Sequence, residues 1–277
     1  MMDQIWLGTE NSYFAVQQQL AAKVPMPNLS ADDKFMGIPN PLEFEVHDGV
    51  AVGTISGGLL TSSTWITRLF GVTSYEDIQM ALAELSGNPE VRSVLLNFDT
   101  PGGMAKGCKQ CAQFIRAYGE TVKPVHTHAS DMAASAGLWL YSAGLYHTVD
   151  EEAKVGSLGA IMVHSEYTEQ RKQEGITDRV FRTAPKKALG HPLEKLTEEA
   201  AAQIEADLAE LHDKFVAGVS DLSGIGTRKV ATQIATGQMF SAEEAKNLGL
   251  SDAVLTIGEV VAKMARKYKP KAQAARK

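Results

Sequence analysis

Three stretches of the chain combine residue types and spacing suited to acyl-transfer chemistry. In Asp131-Met132-Ala133-Ala134-Ser135-Ala136-Gly137, small residues flank one serine at the expected start of a helix. Such a turn exposes the hydroxyl and offers backbone N–H groups to developing negative charge. The same position also suits a serine that only caps the helix. The second stretch, Asp99-Thr100-Pro101-Gly102-Gly103, directly follows an apolar run. Its glycines let a substrate approach the backbone and leave N–H groups for an oxyanion, although a plain Pro-Gly turn has the same composition. The third, residues 183–192, holds Lys186 and Lys187. A serine nucleophile needs a base. A lysine serves when burial among apolar groups lowers its pKa from about 10.4 to about 7–8. The other candidate base is His164 at an expected strand end.

Two further groups read as structural. His126 and His128 point the same way on one strand, but no third ligand stands nearby, so core or surface histidines are expected rather than a metal pair. Cys108 and Cys111 form a C-x-x-C on a helix without a thioredoxin-like strand order, so packed thiols are expected. Nothing in the pattern asks for a metal or a cofactor.

The elements that must position these residues alternate between two periodicities. Residues 9–23 have helical spacing, and 24–42 hold Pro25, Pro27, Pro39 and Pro41, an extended arm. From Leu42 onward FEV, Asp48-Gly49 and VAVGTIS form a hairpin signal. Ser74 with Asp77 and Ser241 with Glu244 are capping boxes. VRSVLLNF (91–98) is a nearly continuous apolar run, as in a strand covered on both faces. Strands are expected at 122–126, 147–149, 160–163, 179–183 and 253–256. Helices are expected at 107–119, 135–144, 166–174 and about 197–222. This alternation predicts an α/β fold with a largely parallel sheet flanked by helices. The expected organisation is an N-terminal helix and Pro-rich arm at 1–41, one catalytic domain at 42–262 and a basic flexible tail at 263–277.

Composition narrows the function classes. Hydrophobic residues make up 44% and charged residues 22% of the 277, a globular composition. The formal charge of −6 argues against a nucleic-acid-coating protein. The basic tail, with seven Lys/Arg and no acid over 263–277, allows at most a weak contact with nucleic acid or another acidic partner. Two cysteines cannot build a disulfide framework. The long uncharged stretches 49–67 and 132–149 carry Ser, Thr, Gly and His, which fits a strand and a buried helix rather than membrane spans. No secretory signal is visible at the start.

Five stretches, LLNFDTPGG (95–103), SDMAASAGLWLYSAG (130–144), VGSLGAIM (155–162), APKKALGHPLEKL (184–196) and ATGQMFSAEEAKNLGLSDAV (235–254), resemble peptidase family S49, the signal peptide peptidase A-like serine proteases. They occur in the family's order. The resemblance implies a ClpP/crotonase-like core and a Ser-Lys dyad. Ser135 would be the nucleophile, Lys187 the general base and Ser157 the residue orienting that lysine; Gly102 or Gly103 with the Ala136 amide would form the oxyanion hole. Ala136 replaces a family glycine, His191 the usual asparagine and Leu189 an aspartate. The chain has no N-terminal anchor of the cellular enzymes and is too short for their duplicated form. It therefore resembles the phage capsid maturation, or prohead, protease branch. That branch implies protein substrates (scaffold and other head proteins, with possible self-cleavage) and a homo-oligomer, in some relatives with the dyad completed between subunits. The setting would be the host cytoplasm within assembling proheads, or the bacterial cytoplasm for a cellular signal-peptide-peptidase-like protease. A crotonase-like acyl-CoA enzyme using the same oxyanion hole without a serine nucleophile and a catalytically inactive assembly factor with this fold are further alternatives.

Overall fold

The computed structural model describes residues 6–8 and 37–270. The helix expected at 9–23 and most of the Pro-rich arm lie outside the described residues. Strand β1 is Trp6–Gly8. Strands β2 (Phe44–His47) and β3 (Val50–Ser56) form the expected hairpin, with Asp48 and Gly49 at φ 48° and 78° supplying the positive angles of its turn. Helix α1 (Trp65–Leu69) leads to α2 (Tyr75–Ser86). Ser74 and Asp77 cap α2 reciprocally, and the buried Asp77 carboxylate also accepts from Arg68 Nε at 2.9 Å and Nη2 at 2.6 Å. A buried carboxylate persists only with such partners.

Strand β4 (Ser93–Thr100) is buried at every position except Asp99, as its apolar run predicts. After β5 (Gly102–Met104) and α3 (Cys108–Thr121) comes β6, Val125–Ala134, which is longer than the strand expected to end at 126. The reason is a bulge. Phe98 pairs Ala129, but the next pair is Asp99 with Met132, so Ser130 and Asp131 are extra residues and the strand resumes beyond them. Then follow α4 (Ala136–Tyr141), β7 (His147–Val149), β8 (Lys154–Gly156) and α5 (Thr168–Gln173). The chain continues with α6 (Glu198–Ser223) and a helical turn α7 (Thr227–Lys229) that passes into a π turn at Val230–Ile234. The last elements are β9 (Met239–Ser241), α8 (Ala242–Leu248), β10 (Ala253–Val254) and α9 (Ile257–Lys267).

Eight strands make the main sheet, in the order β10-β7-β6-β4-β3-β2. Neighbours are parallel except at the β2 edge, β8 adds in parallel to the outer half of β6, and β9 closes antiparallel on β8. Alternation along β4 divides the two faces. Val94, Leu96 and Phe98 join the main core with α2, α3, α4 and α6, whereas Leu95 packs with Val50 against Val260 and Met264 of α9. The architecture is therefore the expected α/β one.

Three boundaries differ from the sequence reading. Residues 179–183 are irregular, and 160–163 hold only a single bridge position at Ile161. The basic stretch from 263 begins inside α9, whose Met264 is buried against the sheet, so α9 carries it as far as Lys267. Residues 271–277 lie outside the described residues.

Behind α4, the Trp139 ring stacks on Phe215 of α6 with centroids 4.7 Å apart. Gly218 faces that ring, and a Cβ there would lie 2.4 Å from Trp139 Nε1. Gly218→Ala is therefore expected to destabilise the protein by about 1–3 kcal/mol through overpacking, measured by denaturant unfolding.

Candidate active site

The ends of β4 and β6 meet where the sheet is bent by the bulge. Burial and the facing Asp131 carboxylate push the Asp99 carboxyl above its ordinary range, which marks two acids in close approach at that bend. One turn further, β6 passes into α4 through Ser135, whose backbone sits at φ 53° and ψ −114°. A non-glycine residue in this region costs about 1–3 kcal/mol and persists only where the surroundings impose it.

The surroundings are identifiable. The Ser135 N–H donates to the Gly156 carbonyl at 2.8 Å, and the Ser135 carbonyl accepts from the Trp139 N–H at 3.1 Å. All six residues of α4 are buried, so the helix cannot shift to relax the turn. Gly137 allows that packing, since a Cβ there would lie 2.5 Å from Thr100 Cγ2. The Ser135 side chain is only 1% exposed, and its Oγ donates to the Gly159 carbonyl at 3.4 Å.

The glycine turn adjoins α4, which packs against β5. Gly103 must be glycine, because a Cβ would sit 2.1 Å from the Leu59 carbonyl oxygen. The Gly102 N–H donates to Thr100 Oγ1 at 3.2 Å, and that hydroxyl donates to the Gly57 carbonyl at 2.5 Å. Of the two glycine amides, Gly102's is thus already engaged. Ser157 follows Gly156 at φ 55°, with its N–H donating to the Gln238 carbonyl at 2.7 Å.

Ser135 is thereby joined to the Gly156–Gly159 turn containing Ser157, and α4, which begins at Ala136, packs against the strand that holds Gly102 and Gly103. Among the described residues, Lys187 joins none of these hydrogen bonds. It lies in an exposed run, 181–188, and its N–H donates to the Ala184 carbonyl. Among the described residues neither Lys187 nor His164 hydrogen-bonds Ser135; the Nε2 atom of His164 is buried without a partner. Sequence reasoning missed Thr100, Gly156 and Gly159 as parts of the site. All three lie inside the quoted motif stretches, but only pairing across the sheet reveals their contacts.

The structural readings of the other groups hold. Cys108 and Cys111 are buried and unbridged, with burial pushing the Cys108 thiol up to about 12, far from a reactive thiolate. His126 and His128 lie on the α9 side of the sheet. Burial lowers both to about 4, helped at His126 by Lys267 and His147. His126 Nε2 meets the Tyr268 hydroxyl at 3.0 Å and His128 Nδ1 meets Thr148 Oγ1 at 2.9 Å. Among the described residues no group of three or more His, Cys, Asp or Glu is placed to hold a metal, and no helix is long and apolar enough to cross a membrane.

The model of peptidase family S49 matches residues 118–271, more than half of the chain. The chain belongs to that family. The match includes Ser135, Ser157 and Lys187, while the Gly102-Gly103 turn precedes it. Among curated S49-like relatives, the chain is 30% identical over 236 residues to the capsid assembly protease C of Escherichia phage lambda, covering 85% of this chain and 53% of that protein. It is 27% identical to the head-tail preconnector protein GP5 of Enterobacteria phage P21, covering 90% and 49%. Protease 4 of Haemophilus influenzae is 24% identical, covering 84% and 37%. The chain thus spans about half the length, or less, of these relatives. Among solved structures, an enoyl-CoA hydratase from Shewanella pealeana superposes with a TM-score of 0.49 at 11% identity, over 84% of this chain and 74% of that one. At that distance the likeness says nothing of chemistry.

Two outcomes follow from the geometry. Glycine adopts the Ser135 backbone angles without steric cost, so Ser135→Gly is expected to be more stable than Ser135→Ala by about 1 kcal/mol in denaturant unfolding. The second concerns acid. His126 and His128 stay neutral in the native protein down to about pH 4, whereas an unfolded chain protonates them below about pH 6.5. Unfolding therefore takes up protons in that window. Stability is expected to fall as pH drops from about 6.5 to about 4, by up to about 1.4 kcal/mol per pH unit per histidine, and His126→Gln should flatten that slope.

Proposed function

We propose that the chain is a serine endopeptidase in which Ser135 is the nucleophile and Lys187 the general base. The observation that carries this reading is Ser135 itself, a buried serine held at φ 53° between two glycine-bearing turns at a strand-to-helix junction. Lys187 takes the Ser135 proton, Ser135 Oγ attacks a peptide carbonyl, and backbone amides receive the oxyanion. With the Gly102 amide engaged by Thr100, that role falls to Gly103 and Ala136. The lysine then protonates the leaving amine, and water releases the acyl-enzyme. Ser157 orients the lysine.

A lysine base works neutral, which requires burial among apolar groups, and in one copy Lys187 is exposed. A second copy supplies the missing surface. Of the eleven exposed large hydrophobic residues described, Val163, Tyr167, Ile176, Phe181 and Leu196 lie in the segment around Lys187, and Phe181 is 88% exposed. Such a concentration marks a contact surface. The dyad is then completed between copies of a homo-oligomer, Lys187 of one copy meeting Ser135 of the next.

The names of the phage relatives support a role in capsid assembly; the substrates proposed are scaffold and other head proteins, and the proposed setting is the prohead. The test is complementation. Ser135→Ala and Lys187→Ala are each expected to abolish cleavage of a disordered protein substrate, read by intact-mass spectrometry. Mixed and reassembled in equal amounts, they should regain activity at about a quarter of the sites, as random assembly of a head-to-tail interface gives. Cleavage that survives Lys187→Ala but not His164→Ala would move the base to His164, whose buried Nε2 has no hydrogen-bond partner among the described residues. Folded protein that cleaves nothing in any form would favour an assembly factor without catalysis.

A further inference from the structure

We infer that residues Trp6–Gly8 act as a tethered pseudosubstrate: they occupy the edge of β5 along which an extended substrate must lie. The consequence for activity rests on the peptidase reading above, but the pairing itself does not. β5 stands outside the eight-stranded sheet, and one of its edges is taken by residue 59. There the Leu59 N–H donates to the Gly102 carbonyl and the Met104 N–H donates to the Leu59 carbonyl, both at 2.9 Å. Successive residues of a strand direct their N–H and C=O groups to opposite sides. Gly102 and Met104 therefore address Leu59, and Gly103 addresses the other edge.

That other edge is where β1 lies, antiparallel, with Trp6 opposite Met104, Leu7 opposite Gly103 and Gly8 opposite Gly102. An unpaired strand edge is a template for an added strand. This one is a main-chain surface, since Gly102 and Gly103 have no side chains and Gly103 admits none. Its chemistry recognises an extended peptide by backbone hydrogen bonds rather than by sequence. The Gly103 amide is also the amide left for an oxyanion once Thr100 engages that of Gly102. A peptide presenting its carbonyl to Ser135 and Gly103 must run along the same edge, so β1 and a substrate exclude one another.

The experiment compares the full chain with a variant lacking residues 1–8 and with Leu7→Pro, which removes the backbone N–H facing Gly103. Hydrogen exchange at Gly102–Met104 is expected to quicken in both variants and to slow again when a synthetic peptide of residues 3–11 is added. With a quenched peptide substrate, both variants should show about a tenfold higher kcat/KM carried by a lower KM, because a tethered segment competes at an effective concentration near about 1 mM. The added peptide should inhibit them competitively. Unchanged exchange at Gly102–Met104 would overturn the inference, as would faster exchange with unchanged kcat/KM. If no form cleaves any substrate, the peptidase reading fails, and the exchange measurement with the added peptide still decides whether this edge binds residues 6–8.

Discussion

One hydrogen bond, from the Ser135 amide to the Gly156 carbonyl at 2.8 Å, fixes the point around which this molecule is organised. It extends the β6–β8 ladder by one residue past Ala134 and holds Ser135 at a positive φ that its side chain disfavours. The strain is offset elsewhere, by the complete burial of α4 and by the stack of Trp139 on Phe215. A strained, over-determined residue of this kind is a recurrent feature of functional sites. β8 is itself held from the far side by β9, and Gly156 sits so close to the Gln238 carbonyl that a Cβ would approach it to 2.5 Å.

The glycine turn depends on that same frame. Thr100 holds it to its surroundings twice. Its hydroxyl holds the Gly102 amide and the Gly57 carbonyl, and its methyl group packs where Gly137 leaves room. The glycine turn is thus held by close backbone packing rather than by flexible side chains. Under the proposed reading, amides preorganised in this way lower a barrier without reorganising as charge develops.

Lys187 is placed differently. Serine and glycines sit on packed strand ends, whereas Lys187 sits on an exposed segment studded with Tyr167, Ile176 and Phe181. Under the proposed reading, a base on such a surface makes activity conditional on association.

The sequence by itself determined most of the layout. Alternating periodicities marked the α/β class, Asp48-Gly49 the hairpin, and Ser74-Asp77 and Ser241-Glu244 the capped helices, because these signals are local and each residue carries its own backbone preference. It also singled out Ser135 and the Gly102-Gly103 turn, since small residues at strand ends are visible in one dimension. Tertiary structure decided the rest. The length of β6 depended on a bulge that re-registers it against β4, and 179–183 formed no strand. The contacts of Thr100, Gly156 and Gly159 and the seating of residues 6–8 on β5 all arise from pairings between distant segments. Such pairings are set by which edges and faces remain unfilled after folding, and no local preference encodes that.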